Sequence, residues 1–125
     1  MSKDKITCHV LDTTAGRPAE GISVRLVGPS TSTSSAGATS FHAQTDADGR
    51  IKLWTPSEGN TNLDQLLSTV KGASRWELHF DTEGYFGAEK TFFPEAIVVF
   101  RVDEGQTYHV PLLLSPYTYT TYRGS

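Results

Sequence analysis

Apolar and polar positions alternate along most of this chain, which is the period of a strand with one buried face. In the first such segment Ile6, Cys8 and Val10 share one face, leaving Thr7, His9 and Leu11 on the other. Gly16 and Pro18 punctuate a turn, after which Ile22, Val24 and Leu26 alternate with Ser23 and Arg25. Trp76, Leu78 and Phe80 alternate with Arg75, Glu77, His79 and Asp81, and Tyr108, Val110, Leu112 and Leu114 with His109, Pro111 and Leu113. The stretch 96–102 is almost continuously apolar and β-branched, which predicts a central strand. Residues 117–122 are tyrosine and threonine throughout, both good strand formers.

Two interruptions carry a helical period. Leu63, Leu66, Leu67 and Val70 fall at i, i+3, i+4 and i+7, with Asn62 placed to cap the start and Gly72 to stop the helix. A second short helix is expected within residues 83–90. Residues 30–40 are nearly all Ser, Thr, Gly and Ala, too polar and small to bury much surface, and predict a mobile loop. Asp46-Ala47-Asp48-Gly49 is the clearest tight turn, with Gly49 supplying the left-handed position. Many short strands with regular turns and no repeat predict one domain over residues 1–125, an all-β, two-sheet sandwich with one or two short helices.

Composition narrows the partners. The chain has 125 residues and a formal net charge of −3, without the basic face that nucleic acid or an anionic membrane requires. No apolar run approaches the ~20 residues of a bilayer span. The single cysteine, Cys8, cannot form an internal disulfide, and together with a start that shows no apolar leader it points to a reducing, cytoplasmic setting. No multi-cysteine metal site, histidine pair at ligand spacing, glycine-rich phosphate loop or G-x-S-x-G elbow is present.

The chemistry lies in polar residues that face away from the core. His9 and His109 both sit opposite the apolar faces of their strands. An isolated histidine there is ordinarily a solvated surface residue, but Leu11, Pro111 and Leu113 share those outer faces. A partly apolar outer face calls for a cover, often another subunit, and a partly desolvated imidazole can do acid–base work near neutral pH. Arg50 follows the tight turn, and taken alone it is only a cation at a strand entrance. Tyr122-Arg123-Gly124-Ser125 follows closely after the last strand. His42 and His79 read as surface histidines without convergent partners.

Three stretches together resemble the transthyretin-related family in its enzymatic branch, the 5-hydroxyisourate hydrolases: His9-Val10-Leu11-Asp12-Thr13-Thr14-Ala15-Gly16-Arg17-Pro18-Ala19; Thr45-Asp46-Ala47-Asp48-Gly49-Arg50; and Tyr108-His109-Val110-Pro111-Leu112-Leu113-Leu114-Ser115-Pro116-Tyr117 with Thr120-Thr121-Tyr122-Arg123-Gly124-Ser125. The Tyr-Arg-Gly-Ser ending separates that branch from the hormone-carrying transthyretins. The resemblance implies an eight-stranded sandwich with a short helix between the fifth and sixth strands. It implies a homotetramer, a dimer of dimers, with sites in the channel between dimers. It carries catalytic roles to His9, Arg50, His109 and Ser125, and substrate contact to His9, Arg50 and Tyr122. The implied reaction opens the six-membered ring of 5-hydroxyisourate by water attack, without metal or organic cofactor. One of the two histidines would act as base and Arg50 would hold the developing oxyanion. The connections at 30–40 and 57–74 look longer than the family's, and Thr118 stands where the family often has glycine. A non-enzymatic small-ligand carrier on the same scaffold is the main alternative, and an adhesion-type immunoglobulin module a more distant one. The compartment implied is the cytoplasm, with the peroxisome as alternative.

Overall fold

The structure, a computed structural model, describes residues 3–30 and 38–124; most of the loop expected at 30–40, and Ser125, lie outside the described residues. Alternation becomes pleat in the way the pattern demands. β1 (Ile6–Asp12), β3 (Ser23–Ser30), β7 (Ser74–Phe80), β8 (Ala96–Val102) and β9 (Tyr108–Leu114) are the long strands, with β4 (Thr39–Gln44) and β10 (Tyr119–Thr121) beside them. β2 (Arg17–Pro18), β5 (Arg50–Ile51) and β6 (Thr55–Pro56) are two-residue pieces. The described residues thus form ten strand segments rather than eight, because short edge pairings break away as separate pieces.

One sheet runs β10-β9-β1-β2, with β5 also pairing with β1, and the other runs β6-β4-β3-β7-β8. β1 and β9 are parallel, with Thr7 opposite His109 and Val10 opposite Leu112. β5 lies antiparallel on the other side of β1, with Cys8 opposite Ile51 and His9 opposite Arg50. Between the sheets Ile6, Cys8, Val10, Leu26, Phe41, Trp76, Leu78, Phe80, Leu112 and Leu114 are wholly buried, as the alternation predicts. Such side chains contribute roughly 1.5–3 kcal/mol each on burial, the main favourable term. Among the described residues no buried side-chain nitrogen or oxygen lacks a hydrogen-bond partner.

Both helices form. In α1 (Leu63–Thr69) Asn62 Oδ1 accepts the Gln65 N–H while Gln65 Oε1 accepts the Asn62 N–H, a complete capping box. α1 ends at Thr69, with Val70 as its extended C-cap, before Gly72 is reached. α2 (Thr82–Phe86) occupies only the front of the expected 83–90 stretch, because Asp81 caps it at Gly84 and Gly87 turns the chain out with φ 103°.

Two expectations are corrected. β8 is an edge strand, paired only with β7. Ala96, Val98 and Val102 point inward, while Ile97 and Val99 stay 44% and 47% exposed. An apolar run by itself does not distinguish burial on both faces from an edge strand with an apolar outer face. The Tyr/Thr run is strand only from Tyr119 to Thr121, because its start is used in a turn: the Ser115 N–H and hydroxyl both donate to the Thr118 carbonyl. Among the described residues no helix is long and apolar enough to cross a membrane.

Leu78→Ala, at the centre of the sandwich, is expected to destabilise the fold by about 2–5 kcal/mol, whereas Asn62→Ala, which strips one helix cap, should cost only about 1 kcal/mol. Equilibrium unfolding in urea checks both values.

Candidate active site

The site is assembled by strand register. β1 turns Thr7, His9 and Leu11 to the outer face of its sheet, and β9 turns His109, Pro111 and Leu113 to the same face. β5 sets Arg50 directly beside His9. The His9 and His109 rings lie 6.3 Å apart between centroids. A cleft of about 420 Å³ opens beside His109, lined by Lys3, Asp4, Thr7, Arg50, Tyr108 and His109 itself, with His9 outside its lining.

The turn before Arg50 is built to deliver it. Asp46 Oδ1 accepts the backbone N–H of both Asp48 and Arg50 at 2.9 Å, and the Gly49 N–H donates to the Asp46 carbonyl. These bonds, that of Arg50 foremost, hold the Asp46 carboxyl below its ordinary range. Gly49 adopts φ 75°, and its carbonyl accepts the Val10 N–H at 2.7 Å, tying the turn to β1. A Cβ at position 49 would stand 2.3 Å from the Val10 carbonyl oxygen, so glycine is required for contact as well as for conformation.

The same turn fixes His9. Its Nε2 lies 2.9 Å from the Asp48 carbonyl oxygen. A carbonyl only accepts, so Nε2 carries the proton, and a neutral His9 keeps its lone pair on Nδ1. His109 makes a different bond: its Nδ1 lies 2.8 Å from the Thr7 hydroxyl. Burial, then the positive charge of Arg50, then His9 and Lys3, push the His109 imidazole below its ordinary pKa. The neutral ring is therefore the form present around pH 7.

The segment after β10 returns to His109. The Gly124 N–H donates to the His109 carbonyl at 2.8 Å, and a Cβ on Gly124 would come within 2.7 Å of His109 Cδ2. The Arg123 guanidinium stacks 4.6 Å from the centroid of Tyr108. Tyr122, 57% exposed, lines a second hollow of about 400 Å³ with Val98, Phe100, Thr121 and Arg123, and His109 borders both hollows. Within one chain, then, His9, Arg50 and His109 converge, Tyr122 stands on the far side of His109, and Ser125 lies beyond the described residues.

Sequence reasoning missed Thr7, although its place two residues before His9 on the same face was a usable signal. It also missed the Asp48 carbonyl, for which side-chain chemistry carries no signal. His79 proves to have partners: Nε2 is 2.9 Å from Glu77, Nδ1 is 3.5 Å from Glu95 and 3.4 Å from Arg25, and the side chain is only 13% exposed. It sits on β7 in the opposite sheet, where those partners come from β3, its own strand and the segment before β8. His42 is exposed as expected, bonded to Ser57. Cys8 is wholly buried, and burial raises its thiol pKa far above the ordinary range. Among the described residues no group of three or more His, Cys, Asp or Glu side chains is placed to hold a metal ion.

The 5-hydroxyisourate hydrolase of Mus musculus is 41% identical to this chain over 128 residues, spanning 96% of this chain and 94% of its own. The solved structure of Klebsiella pneumoniae 5-hydroxyisourate hydrolase superposes with a TM-score of 0.67 at 28% identity, covering 96% of this chain and 98% of that one. Sea bream transthyretin in complex with thyroxine superposes with a TM-score of 0.73 at 27% identity, covering 97% and 95%. The model of the HIUase/Transthyretin family matches residues 6–124, and this chain belongs to that family.

Proposed function

We propose that this protein hydrolyses 5-hydroxyisourate to 2-oxo-4-hydroxy-4-carboxy-5-ureidoimidazoline, a step of urate degradation, at the face that carries His9, Arg50 and His109. The observation that carries this reading is the convergence of two imidazoles and a guanidinium on one sheet face, in a chain 41% identical to a 5-hydroxyisourate hydrolase. The substrate is a flat, polar bicyclic amide, and its hydrolysis needs an activated water and a stabilised oxyanion. A neutral imidazole takes the water's proton as the oxygen attacks the ring carbonyl, help worth roughly 10²–10⁴-fold. Arg50 remains charged at any working pH and offers forked donors to the developing oxygen anion, worth about 10²–10³-fold for one such donor. Ser125, which follows the glycine bonded to His109, completes the catalytic set, and Tyr122 contacts substrate. None of these roles uses a metal or an organic cofactor.

The carrier alternative has the likeness to thyroxine-bound sea bream transthyretin in its favour. Against it stands polarity: two imidazoles and a guanidinium suit a purine derivative better than a hydrophobic hormone. The working assembly in this reading is a homotetramer, a dimer of dimers, in which a neighbouring subunit would cover the half-buried Leu11 and Leu113 beside the histidines. The compartment is the cytoplasm, consistent with a single cysteine that has no partner within the chain.

His109→Ala and Arg50→Ala are expected to keep the fold and lower turnover by about tenfold or more, with Ser125→Ala impaired in the same assay. Ultraviolet decay of freshly generated 5-hydroxyisourate measures all three, and turnover equal to wild type in the first two removes the site assignment. The pH profile is a second check. Because His109 is held below the usual histidine value of about 6.5, the acid limb of kcat/KM should fall below that pH. Arg50→Gln removes a neighbouring positive charge, so imidazolium forms more readily and the limb should move up. Sedimentation equilibrium should give four times the mass of one chain; a monomer at assay concentrations would refute the tetramer.

A further inference from the structure

Thr7 and His109 are register partners across the parallel β1–β9 pairing, and Thr7 is only 8% exposed. Its hydroxyl lies 2.8 Å from His109 Nδ1 and 3.4 Å from the Tyr108 carbonyl oxygen. A hydroxyl has one hydrogen to give and lone pairs to receive, whereas a carbonyl only receives. Two arrangements follow. If the hydroxyl donates to Nδ1, the Tyr108 carbonyl loses this bond and His109 holds its proton on Nε2. If the hydroxyl donates to Tyr108, it accepts from Nδ1–H, both bonds are made, and Nε2 keeps the lone pair. Only the second arrangement satisfies every contact around a nearly buried hydroxyl.

We propose that Thr7 is a positioning residue that holds His109 as the Nδ1–H tautomer by accepting that proton while donating its own hydrogen to the Tyr108 carbonyl, so that Nε2 is the proton acceptor of the site. The proposal rests on the hydrolytic reading given above. In the step it serves, a water O–H bond breaks, the proton goes to His109 Nε2, and the oxygen bonds to the substrate carbonyl carbon, whose π electrons move onto the oxygen facing Arg50. The imidazolium so formed still donates Nδ1–H to Thr7, so the same bond that sets the tautomer steadies the charge. His9 cannot do this through Nε2, which is committed to the Asp48 carbonyl. The division of labour between the two rings thus follows from which backbone carbonyl each one reaches, His9 directly and His109 through a hydroxyl.

The test compares Thr7→Val, which keeps shape and removes the hydroxyl, with Thr7→Ser, which keeps the hydroxyl. Thr7→Val should lower kcat about tenfold with KM within about twofold, and move the acid limb of kcat/KM to lower pH, because the imidazolium loses an acceptor. Thr7→Ser should restore both kcat and the limb. The tautomer is read directly from long-range proton–nitrogen correlation of the imidazoles in the wild-type protein, with His109 assigned by its disappearance in His109→Gln. A protonated Nδ1 and bare Nε2 on neutral His109 support the proposal. A protonated Nε2 with bare Nδ1, or a folded Thr7→Val with wild-type kcat and acid limb, overturns it. The wild-type spectrum decides even if Thr7→Val fails to fold. It also needs no substrate: an inactive wild-type protein would overturn the hydrolase reading, whereas the wrong tautomer in an active enzyme would overturn the role of Thr7 alone.

Discussion

Seven residues of β1 run parallel to seven of β9, and the short strand β5 docks antiparallel on the opposite side of β1. Those two registers place Thr7 against His109 and His9 against Arg50. Because side chains alternate strictly along a strand, a slip of one residue in β1 would send His9 into the core and Cys8 or Val10 to the surface. The buried row of Ile6, Cys8 and Val10 is therefore the clamp on the site. Burying the wrong face would lose the transfer of three apolar side chains and strand polar ones in the sandwich. The chemistry on the outer face inherits its geometry from packing on the inner one.

What the core does not fix, backbone polar groups do. Gly49 ties the turn that carries Arg50 to β1, and the Asp48 carbonyl in that turn fixes His9, so one four-residue bend places a cation and orients an imidazole. On the other flank the Gly124 N–H holds the His109 carbonyl, and the absence of a Cβ there lets the chain lie against the ring. The two imidazoles, His9 bonded to a backbone carbonyl and His109 to the Thr7 hydroxyl, are held against rotation. Such pre-organisation is what makes proton transfer and oxyanion contact effective.

The sandwich was readable in the sequence wherever apolar residues alternate with polar ones, as at Ile6 to Val10 or Trp76 to Phe80. The position of β8 was not readable, because apolar residues occupy both of its faces although only one of them is buried. Of the site, His9 and His109 stood out as polar residues opposite apolar rows, while Arg50 was marked only by the family resemblance; their meeting is a matter of register, which no single segment encodes. Thr7 was legible only as an outer-face threonine, since a hydroxyl shows its value when its partner strand is known. His79 looked like a lone surface histidine because Glu95 and Arg25 reach it from other segments.

The electrostatics of the cleft bear on which ligands this face of the scaffold can take. Partial burial removes water that would otherwise stabilise a cation at His109, and Arg50, then His9 and Lys3, add positive charge beside it. Both effects favour a neutral imidazole, and a neutral imidazole next to a permanent guanidinium is a base beside a fixed charge that cannot compete for its proton. An apolar ligand would strip water from the guanidinium and imidazoles without returning their hydrogen bonds, at a cost of several kcal/mol. In the proposed reaction a planar polyamide would return those bonds, and the interaction with Arg50 would strengthen as its carbonyl gained negative charge during water attack. Binding that grows along the reaction coordinate is the condition for catalysis rather than carriage, and in this fold it comes down to which side chains β1, β5 and β9 turn outward.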